Sequence, residues 1–325
     1  MTPTQARRHR AHLARRRRSI RVLRALWRPV RLTTPGAVLR STAWTLVVGL
    51  YSTTWLTATI AALLLALYPA SGPVGTQDAW TLFNSLIPAL ALTFAGIAVL
   101  QLLANTTDTP PATIGAGMPA GWRGSVGVFL LATLIFQMRG VITTALEAIP
   151  GLPDQNSFPW TPPSSPDAAA FLVYDSMLSG AVEEIIVLAI PVIALRAAGH
   201  RWPTILITAV LLRTAFHIYY GAIAIPGHLI WALALALLYI ATARIWPLYL
   251  AHAMNNGIAS LYYVIHEKDP GAATTFLSAA QGVLTLCATA GLLLAILLGS
   301  ALLAARRQNT GRPGTPARQR DDTPA

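Results

Sequence analysis

Two adjacent glutamates, Glu183 and Glu184, stand in the middle of an otherwise apolar stretch of this sequence. Carboxyl groups that are buried close together in enzymes commonly act as general acids or bases. Neighbouring residues of a helix point about 100° apart, so we expect the two side chains not to share one contact. Pro191, seven residues further on, is expected to kink the helix and loosen its backbone near the pair.

Two further pairs of polar residues have the spacing of a single helix face. Arg213 and His217 are four residues apart, and so are His252 and Asn256, which places the members of each pair on one side of a helix. Ionisable side chains within membrane helices usually face the interior of the bundle. We therefore expect carboxylate, imidazole and amide groups from three helices to converge in one interior pocket.

The imidazole and amide groups also have a purely structural interpretation. Histidine and asparagine inside membrane helices often form interhelical hydrogen bonds that hold a bundle together. This alternative suits His217 and the pair formed by His252 and Asn256. It suits the two carboxylates less well, because burying them in an apolar run is costly without a compensating partner.

Four other polar residues fall within apolar runs. Asp175, Arg139 and Glu147 are candidate ion-pair partners, or else they lie nearer the membrane surface. His228 stands near the start of a later run and is expected at the membrane interface.

The lengths of the apolar runs predict the helices that carry these residues. The 325-residue chain is 54% apolar and 11% charged, against about 25% charged residues in soluble domains, which excludes an ordinary soluble protein. Eight runs approach the ~20 residues that a helix needs to cross the hydrocarbon, near residues 43–69, 80–104, 123–149, 168–198, 202–220, 224–243, 245–265 and 273–304. The predicted fold class is all-α, a polytopic membrane bundle of about eight transmembrane helices within residues 41–304.

The net charge of +12 is concentrated at the two ends of the chain. Residues 1–40 carry twelve arginines and no acid, whereas residues 41–303 carry seven Lys or Arg against ten acids. An even number of spans and the positive-inside rule place both ends in the cytoplasm, at the plasma membrane. The basic N-terminal tail is expected to bind anionic lipids rather than nucleic acid, since no nucleic-acid-binding motif accompanies it. Residues 305–325 are polar and are predicted to be a disordered tail.

Several designs of intramembrane protease are not supported by the sequence. There is no His-Glu-x-x-His metalloprotease motif and no Gly-x-Gly-Asp aspartyl motif. The dipeptide Ser179-Gly180 offers only part of the context that a serine-type enzyme needs. What remains is a glutamate pair on one helix, a histidine on the next, and His-x-x-x-Asn two helices later.

This remaining pattern resembles the CAAX-prenyl-protease type 2 and bacteriocin-processing (Abi) family of intramembrane endopeptidases. The motifs of that family are Glu-Glu-x-x-x-Arg, then Phe-x-x-x-His, then His-x-x-x-Asn or a similar sequence. They match the glutamate pair, His217 and His252 in order and in helix placement, and the resemblance covers about residues 168–265. The family fold is an eight-helix membrane bundle, in agreement with the count of apolar runs.

The resemblance implies a role for each matching residue. Glu183 and His217 would activate a water molecule, His252 and Asn256 would stabilise the oxyanion, and Glu184 would support the site. Alternatively, Glu183, His217 and His252 could hold a divalent metal such as Zn²⁺. The metal would then acidify the water itself.

The sequence departs from the family pattern at two positions. Leu188 stands where the pattern has arginine, and Arg213 stands where it has phenylalanine. Our hypothesis is that Arg213 supplies the cation that Leu188 cannot, because both residues neighbour proposed catalytic positions. A catalytically inactive family member is the alternative.

Three classes of function follow from these observations. The first is an intramembrane endopeptidase that cleaves a peptide or a membrane protein with a water activated by Glu and His. The second is a proton- or ion-coupled transporter, or an immunity-type membrane protein, whose buried glutamates carry protons. The third is a non-catalytic scaffold that uses its arginine-rich tail to hold partners or lipid.

Overall fold

A computed structural model describes residues 26–68, 78–116, 121–156 and 161–310. The larger part of the predicted basic tail, to residue 25, and the end of the chain from residue 311 lie outside this description. The described residues form an all-α bundle, and all eight predicted apolar runs are helical. The helices are α1 Arg40–Thr54, α2 Leu56–Leu67, α3 Ala79–Thr106, α4 Trp122–Glu147, α5 Pro166–Val182, α6 Ile190–Ala197, α7 Trp202–Ala215, α8 Ile225–Thr242, α9 Ile245–His266 and α10 Pro270–Thr310.

The predicted fold class is confirmed, whereas the count of eight transmembrane helices is not. By length and composition, five helical segments of the described chain can cross a membrane, or six if the bent pair of α1 and α2 forms one span. Helix α7 has 14 residues, and at 1.5 Å per residue it is too short for a ~30 Å hydrocarbon core. Helix α9 is longer, but its polar residues lower its hydropathy, so it is not one of these five segments.

The first apolar run is divided at Trp55, where the axes of α1 and α2 differ by 61°. The hydroxyl groups of Thr53 and Thr54 donate to carbonyl oxygens of the preceding turn, those of Gly49 and Leu50. Such bonds compete with the helical hydrogen bonds and often bend a helix. The two short helices therefore do not form one straight span.

The centre of the bundle is the continuous helical segment Pro166–Ala197, formed by α5, a π turn and α6. Helix α5 starts at Pro166, and the Ser165 side chain accepts a hydrogen bond from the backbone N–H of Ala168 at 3.1 Å. This is the favoured arrangement for a helix N-terminus. Helices α3 and α9 pack against α5, and α1 and α7 pack against α6.

The end of the predicted N-terminal tail packs on the bundle. Leu26 and Val30 are buried in the core, and the backbone N–H of Val30 donates to the carbonyl of Ile240 at 2.8 Å. The N–H of Thr34 donates to the carbonyl of Thr107 at 3.2 Å. Residues 26–38 are therefore part of the folded body, although the sequence placed them in the tail.

Candidate active site

A π turn over Glu183–Ala189 presents the two glutamates. The backbone N–H of Ile190 donates to the carbonyl of Ile185, five residues earlier, instead of four. Pro191 has no N–H to donate, and its ring crowds the preceding turn, so the backbone widens ahead of it. Single π turns within α-helices are frequent at functional sites. The sequence predicted that the backbone loosens near Pro191, and the structure has this π turn there.

The glutamates meet His252 and Arg213 in a cluster that is almost completely buried. One oxygen of Glu184, Oε1, lies 2.9 Å from Nη2 of Arg213 and 2.9 Å from Nδ1 of His252. On the other edge of the imidazole, Nε2 of His252 lies 3.8 Å from Oε2 of Glu183. The exposed fractions of these residues are 0% for Glu184, 1% for Arg213, 3% for His252 and 4% for Glu183.

The expectation that Glu183 and Glu184 could not share one contact is therefore wrong. The π turn changes the angle between successive side chains, and an imidazole has two nitrogen atoms on different edges of its ring. Each carboxylate approaches a different nitrogen of His252, so both reach the same residue.

The hydrogen bonding assigns the proton positions of His252. An ionised carboxylate only accepts, so the bond to Glu184 requires that Nδ1 of His252 donates. In the neutral imidazole, Nε2 then carries a lone pair and faces Glu183. Within the described residues, Oε2 of Glu183 has no hydrogen-bond partner. A molecule with O–H or N–H groups between these two atoms could donate to both.

Arg213 occupies the position that the charge-replacement hypothesis requires. Its guanidinium pairs with Glu184 and lies over the indole of Trp231, with Cζ 4.8 Å from the ring centroid. Leu188 is 2% exposed and packs in the apolar core. The cation of the site therefore comes from α7 and not from the helix that carries the glutamates.

His217 lies in a neighbouring aromatic cluster and forms no ion pair with either glutamate among the described residues. Its Nδ1–H donates to the carbonyl of Arg213 at 2.8 Å. Its ring lies against Trp231, with the centroids 5.5 Å apart, and His252 lies against the same indole at 5.7 Å. Helix α7 ends at Ala215, so His217 lies in the turn that follows it and does not share a helix face with Arg213 as the sequence predicted.

Asn256 is directed towards α5 and not towards the glutamates. Its Nδ2 donates to the carbonyl of Ser176 at 3.1 Å and lies 3.2 Å from Oγ of Ser179. One turn further on, Oγ of Ser260 donates to Oγ of Ser176 at 2.6 Å. In this arrangement the two amide hydrogens hold α9 to α5, which corresponds to the structural alternative for this residue.

Three residues border the cluster; sequence reasoning missed Trp231 and did not assign Arg139 and His228 to the site. Trp231 is 1% exposed and lies between the rings of His217 and His252. His228, which the sequence placed at the membrane interface, is 2% exposed, and its ring centroid is 4.9 Å from that of His217. Arg139 places Nη1 3.5 Å from Nε2 of His228 and Cζ 5.5 Å from the Trp231 centroid. The spacing of His228 and Trp231, three residues apart on one helix face, was the available signal.

The three candidate ion-pair residues do not pair with one another within the described structure. The carboxylate of Asp175 accepts a hydrogen bond from Oγ of Ser85 at 2.9 Å. The carboxylate of Glu147 accepts from the backbone N–H of Gln155 at 2.9 Å. Arg139 instead contacts the aromatic cluster described above.

The residues predicted to bind a metal are Glu183, His217 and His252. Across the described residues, no group of three or more His, Cys, Asp or Glu side chains lies in a geometry that could hold a metal. Nδ1 of His252 is engaged by Glu184, and Nδ1 of His217 by a backbone carbonyl, so Nε2 is the nitrogen that each ring would offer to an ion. The zinc site stays a prediction.

Comparison with known proteins identifies the part of the chain that carries this cluster. Residues 165–258 match the family model described as type II CAAX prenyl endopeptidase, Rce1-like. The match contains every candidate site residue from Glu183 to Asn256, so the resemblance predicted from the motifs is confirmed over this segment. No curated protein and no solved structure matches the chain.

Proposed function

We propose that this chain, which is similar to type II CAAX prenyl endopeptidases over residues 165–258, is an intramembrane endopeptidase. The observation that supports the proposal is the buried cluster in which Glu183 and Glu184 approach the two nitrogens of His252. Burying carboxylates and an imidazole is costly. A bundle that served only to hold helices together would gain more from apolar residues at these positions.

In the proposed reaction, Glu183 and Nε2 of His252 accept a proton from a water molecule as its oxygen bonds to the peptide carbonyl carbon. The electron pair of the C=O double bond moves to the carbonyl oxygen. When the tetrahedral intermediate collapses, the C–N bond breaks and the same groups return the proton to the leaving amine. Nε2 of His252 and Oε2 of Glu183 lie 3.8 Å apart, which is too long for a direct hydrogen bond but lets one water molecule contact both atoms.

Glu184 and Arg213 act on His252 and not on the substrate. The bond from Nδ1–H to Glu184 fixes the tautomer and the orientation of the ring. Glu184 also stabilises the positive charge that develops on the imidazole as it takes the proton. Arg213 keeps Glu184 ionised by placing a cation 2.9 Å away, so that the carboxylate remains an acceptor.

The test is cleavage by the purified full-length chain in lipid vesicles, with mass spectrometry locating the cut. Because the matching family model is described as a CAAX prenyl endopeptidase, the first probes are a farnesylated peptide with a CAAX C-terminus and the same peptide without the lipid. We expect Glu183→Gln and His252→Asn to lower kcat by about 10²–10⁴-fold, the usual contribution of a general base. His217→Asn tests the base that the family motif predicts, whereas His252→Asn tests the base that the contacts favour.

Asp175→Asn is the matched control, because Asp175 is also a carboxylate within the helical segment but pairs with Ser85 outside the cluster. It should retain activity within about threefold. Cleavage that persists in both Glu183→Gln and His252→Asn would show that the mechanism is wrong. Proton flux across the same vesicles that depends on Glu183, without cleavage, would favour the transporter instead.

The orientation and the lipid contacts of the chain belong to the same proposal. We place both ends in the cytoplasm and the protein in the plasma membrane, because Arg201 and Arg244 would then lie inside with the basic tail. The tail would bind anionic lipids, and the substrate would be a peptide or a membrane protein. Reporter fusions at the two ends test the orientation, and an end that is extracellular would contradict it.

A further inference from the structure

The indole of Trp231 is the common contact of the residues around the proposed site. It is 1% exposed. Three imidazoles lie against it, those of His217, His228 and His252, with centroid distances between 5.5 and 5.8 Å. The guanidinium groups of Arg213 and Arg139 lie 4.8 and 5.5 Å from its centroid. Trp231 therefore stands where the glutamate–histidine cluster meets the cluster around His217.

The N–H group of this indole has no acceptor among the described residues. A buried donor without a partner costs about 1–3 kcal/mol, and this donor belongs to a ring that contacts His252 and Arg213 of the glutamate–histidine cluster. A phenylalanine at the position would contact the same rings and would avoid this cost.

The other N–H donors that the family pattern offers are already engaged. Both amide hydrogens of Asn256 are directed at Ser176 and Ser179 of α5. The Nδ1–H of His252 is held by Glu184, and that of His217 by the carbonyl of Arg213. The guanidinium of Arg213 has no hydrogen-bond partner at Nη1 or Nη2 among the described residues, but its charge is matched to Glu184, which lies 2.9 Å from Nη2.

We propose that Trp231 is a catalytic residue whose indole N–H donates a hydrogen bond to the oxyanion of the tetrahedral intermediate. The inference rests on the proposed endopeptidase function. As water adds to the peptide carbonyl, the electron pair of the C=O bond moves to oxygen, and the N–H bonds to that oxygen without transferring its proton. When the C=O bond re-forms and the C–N bond breaks, this hydrogen bond weakens again.

A donor that is unsatisfied before the reaction is suited to this task. Only interactions that are stronger in the transition state than in the ground state accelerate the chemical step. An indole N–H that is fixed by surrounding rings needs no reorganisation when charge develops beside it. The nearby cations of Arg213 and Arg139 make the same region favourable for a negatively charged oxygen.

The first test is Trp231→Phe, which removes the N–H and keeps an aromatic ring. We expect kcat to fall about 10²-fold or more with KM nearly unchanged, as when one oxyanion donor is removed. Trp55→Phe is the matched control, because the Nε1 of Trp55 is also buried without a partner. Trp55 stacks on Phe216, with centroids 4.3 Å apart, and we expect its replacement to leave kcat within about threefold of the original.

The second test separates the N–H from the packing of the indole. Benzothienylalanine, placed at position 231 by codon suppression, keeps the two fused rings and replaces N–H by sulfur. We expect the same loss of kcat as in Trp231→Phe, with a thermal midpoint close to that of the unmodified chain. Activity restored to within about threefold by this residue would overturn the inference, because the ring and not its N–H would then be needed.

The failure of this inference is distinguishable from failure of the endopeptidase proposal. If the chain cleaves peptides and requires Glu183, but both replacements of Trp231 are fully active, only the oxyanion role of Trp231 is wrong. If the chain cleaves no peptide, the proposed function itself is wrong and the inference falls with it.

Discussion

Two helical segments of this protein have nearly the same hydropathy and opposite surroundings. The segment Pro166–Ala197 has a mean hydropathy of 2.1 in its most apolar window, and 89% of that window is buried inside the protein. The segment Pro270–Ser300 has a mean hydropathy of 2.3, and only 11% of its window is buried. Hydropathy therefore predicts that both can lie in a membrane, but not which of them lies at the centre.

The difference lies in the residues that interrupt the apolar background. The central segment contains Glu183 and Glu184, and its small residues allow close approach of other helices. A Cβ atom added to Gly180 would lie 3.1 Å from Cγ of His252 and from the backbone nitrogen of Ala253. Lipid tails are as apolar as leucine, so helices in a membrane associate through such close packing and through polar contacts.

The largest effect on stability is expected from breaking the central ion pair. Arg213→Leu leaves Glu184 fully buried without its cation, and we expect the free energy of unfolding to fall by about 3–5 kcal/mol. The measurement is unfolding in mixed detergent micelles. The double variant with Glu184→Leu should be more stable than Arg213→Leu alone, because no charge remains unpaired. A double variant that is less stable would contradict the pairing.

The same pair tests whether Arg213 replaces the arginine of the family pattern. Combining Arg213→Leu with Leu188→Arg moves the cation to the helix that carries Glu184. We expect the combination to recover most of the peptidase activity that Arg213→Leu loses. A folded but inactive combination would show that the two positions are not interchangeable.

A smaller contrast is expected from removing apolar side chains in the two segments. Ile193 in the centre is 0% exposed, whereas Leu286 in α10 is 73% exposed. Ile193→Ala should lower the free energy of unfolding by about 2–5 kcal/mol, because it leaves a cavity. Leu286→Ala should change it by less than about 0.5 kcal/mol, since lipid fills the space. Equal effects in micelle unfolding would mean that α10 is buried by a partner.

The smallest contrast in stability between the two segments is expected from one added methyl group. Gly180→Ala should destabilise the bundle by about 1–3 kcal/mol and lower kcat by displacing His252. Gly282 in α10 has no atom within 4 Å of an added Cβ, so Gly282→Ala should be neutral or stabilise by up to about 1 kcal/mol through helix propensity. Thermal midpoints and kcat of the two variants provide the comparison. Full activity in Gly180→Ala would contradict the tight packing against His252.

The sequence predicted the positions of the helices better than it predicted which of them can span a membrane. Eight apolar runs predicted eight helical regions, because satisfying the backbone in lipid requires helices. Sequence did not predict that α7 ends at Ala215 or that the first run bends at Trp55 by 61°. Both depend on where neighbouring helices and side-chain hydroxyl groups take over the backbone hydrogen bonds.

The sequence predicted which residues belong to the candidate site, but not which of them contact one another. The motifs identified the glutamates, Arg213 and His252, and these four residues do meet in the structure. The expected convergence of His217 and Asn256 on the same point is not what the contacts show. Helix periodicity gives the face on which a residue lies, but the register between two helices decides which residues on those faces touch.

The sequence by itself determined that the chain is an all-helical membrane bundle with costly charges at its centre, because length, hydropathy and charge are properties of the residues. Only the tertiary structure decided that both glutamates flank one imidazole, that Asn256 bonds to α5, and that Trp231 joins the two clusters. These facts depend on a π turn, on a short helix and on the relative positions of three helices. Such positions result from packing over the whole bundle, which no local stretch of sequence specifies.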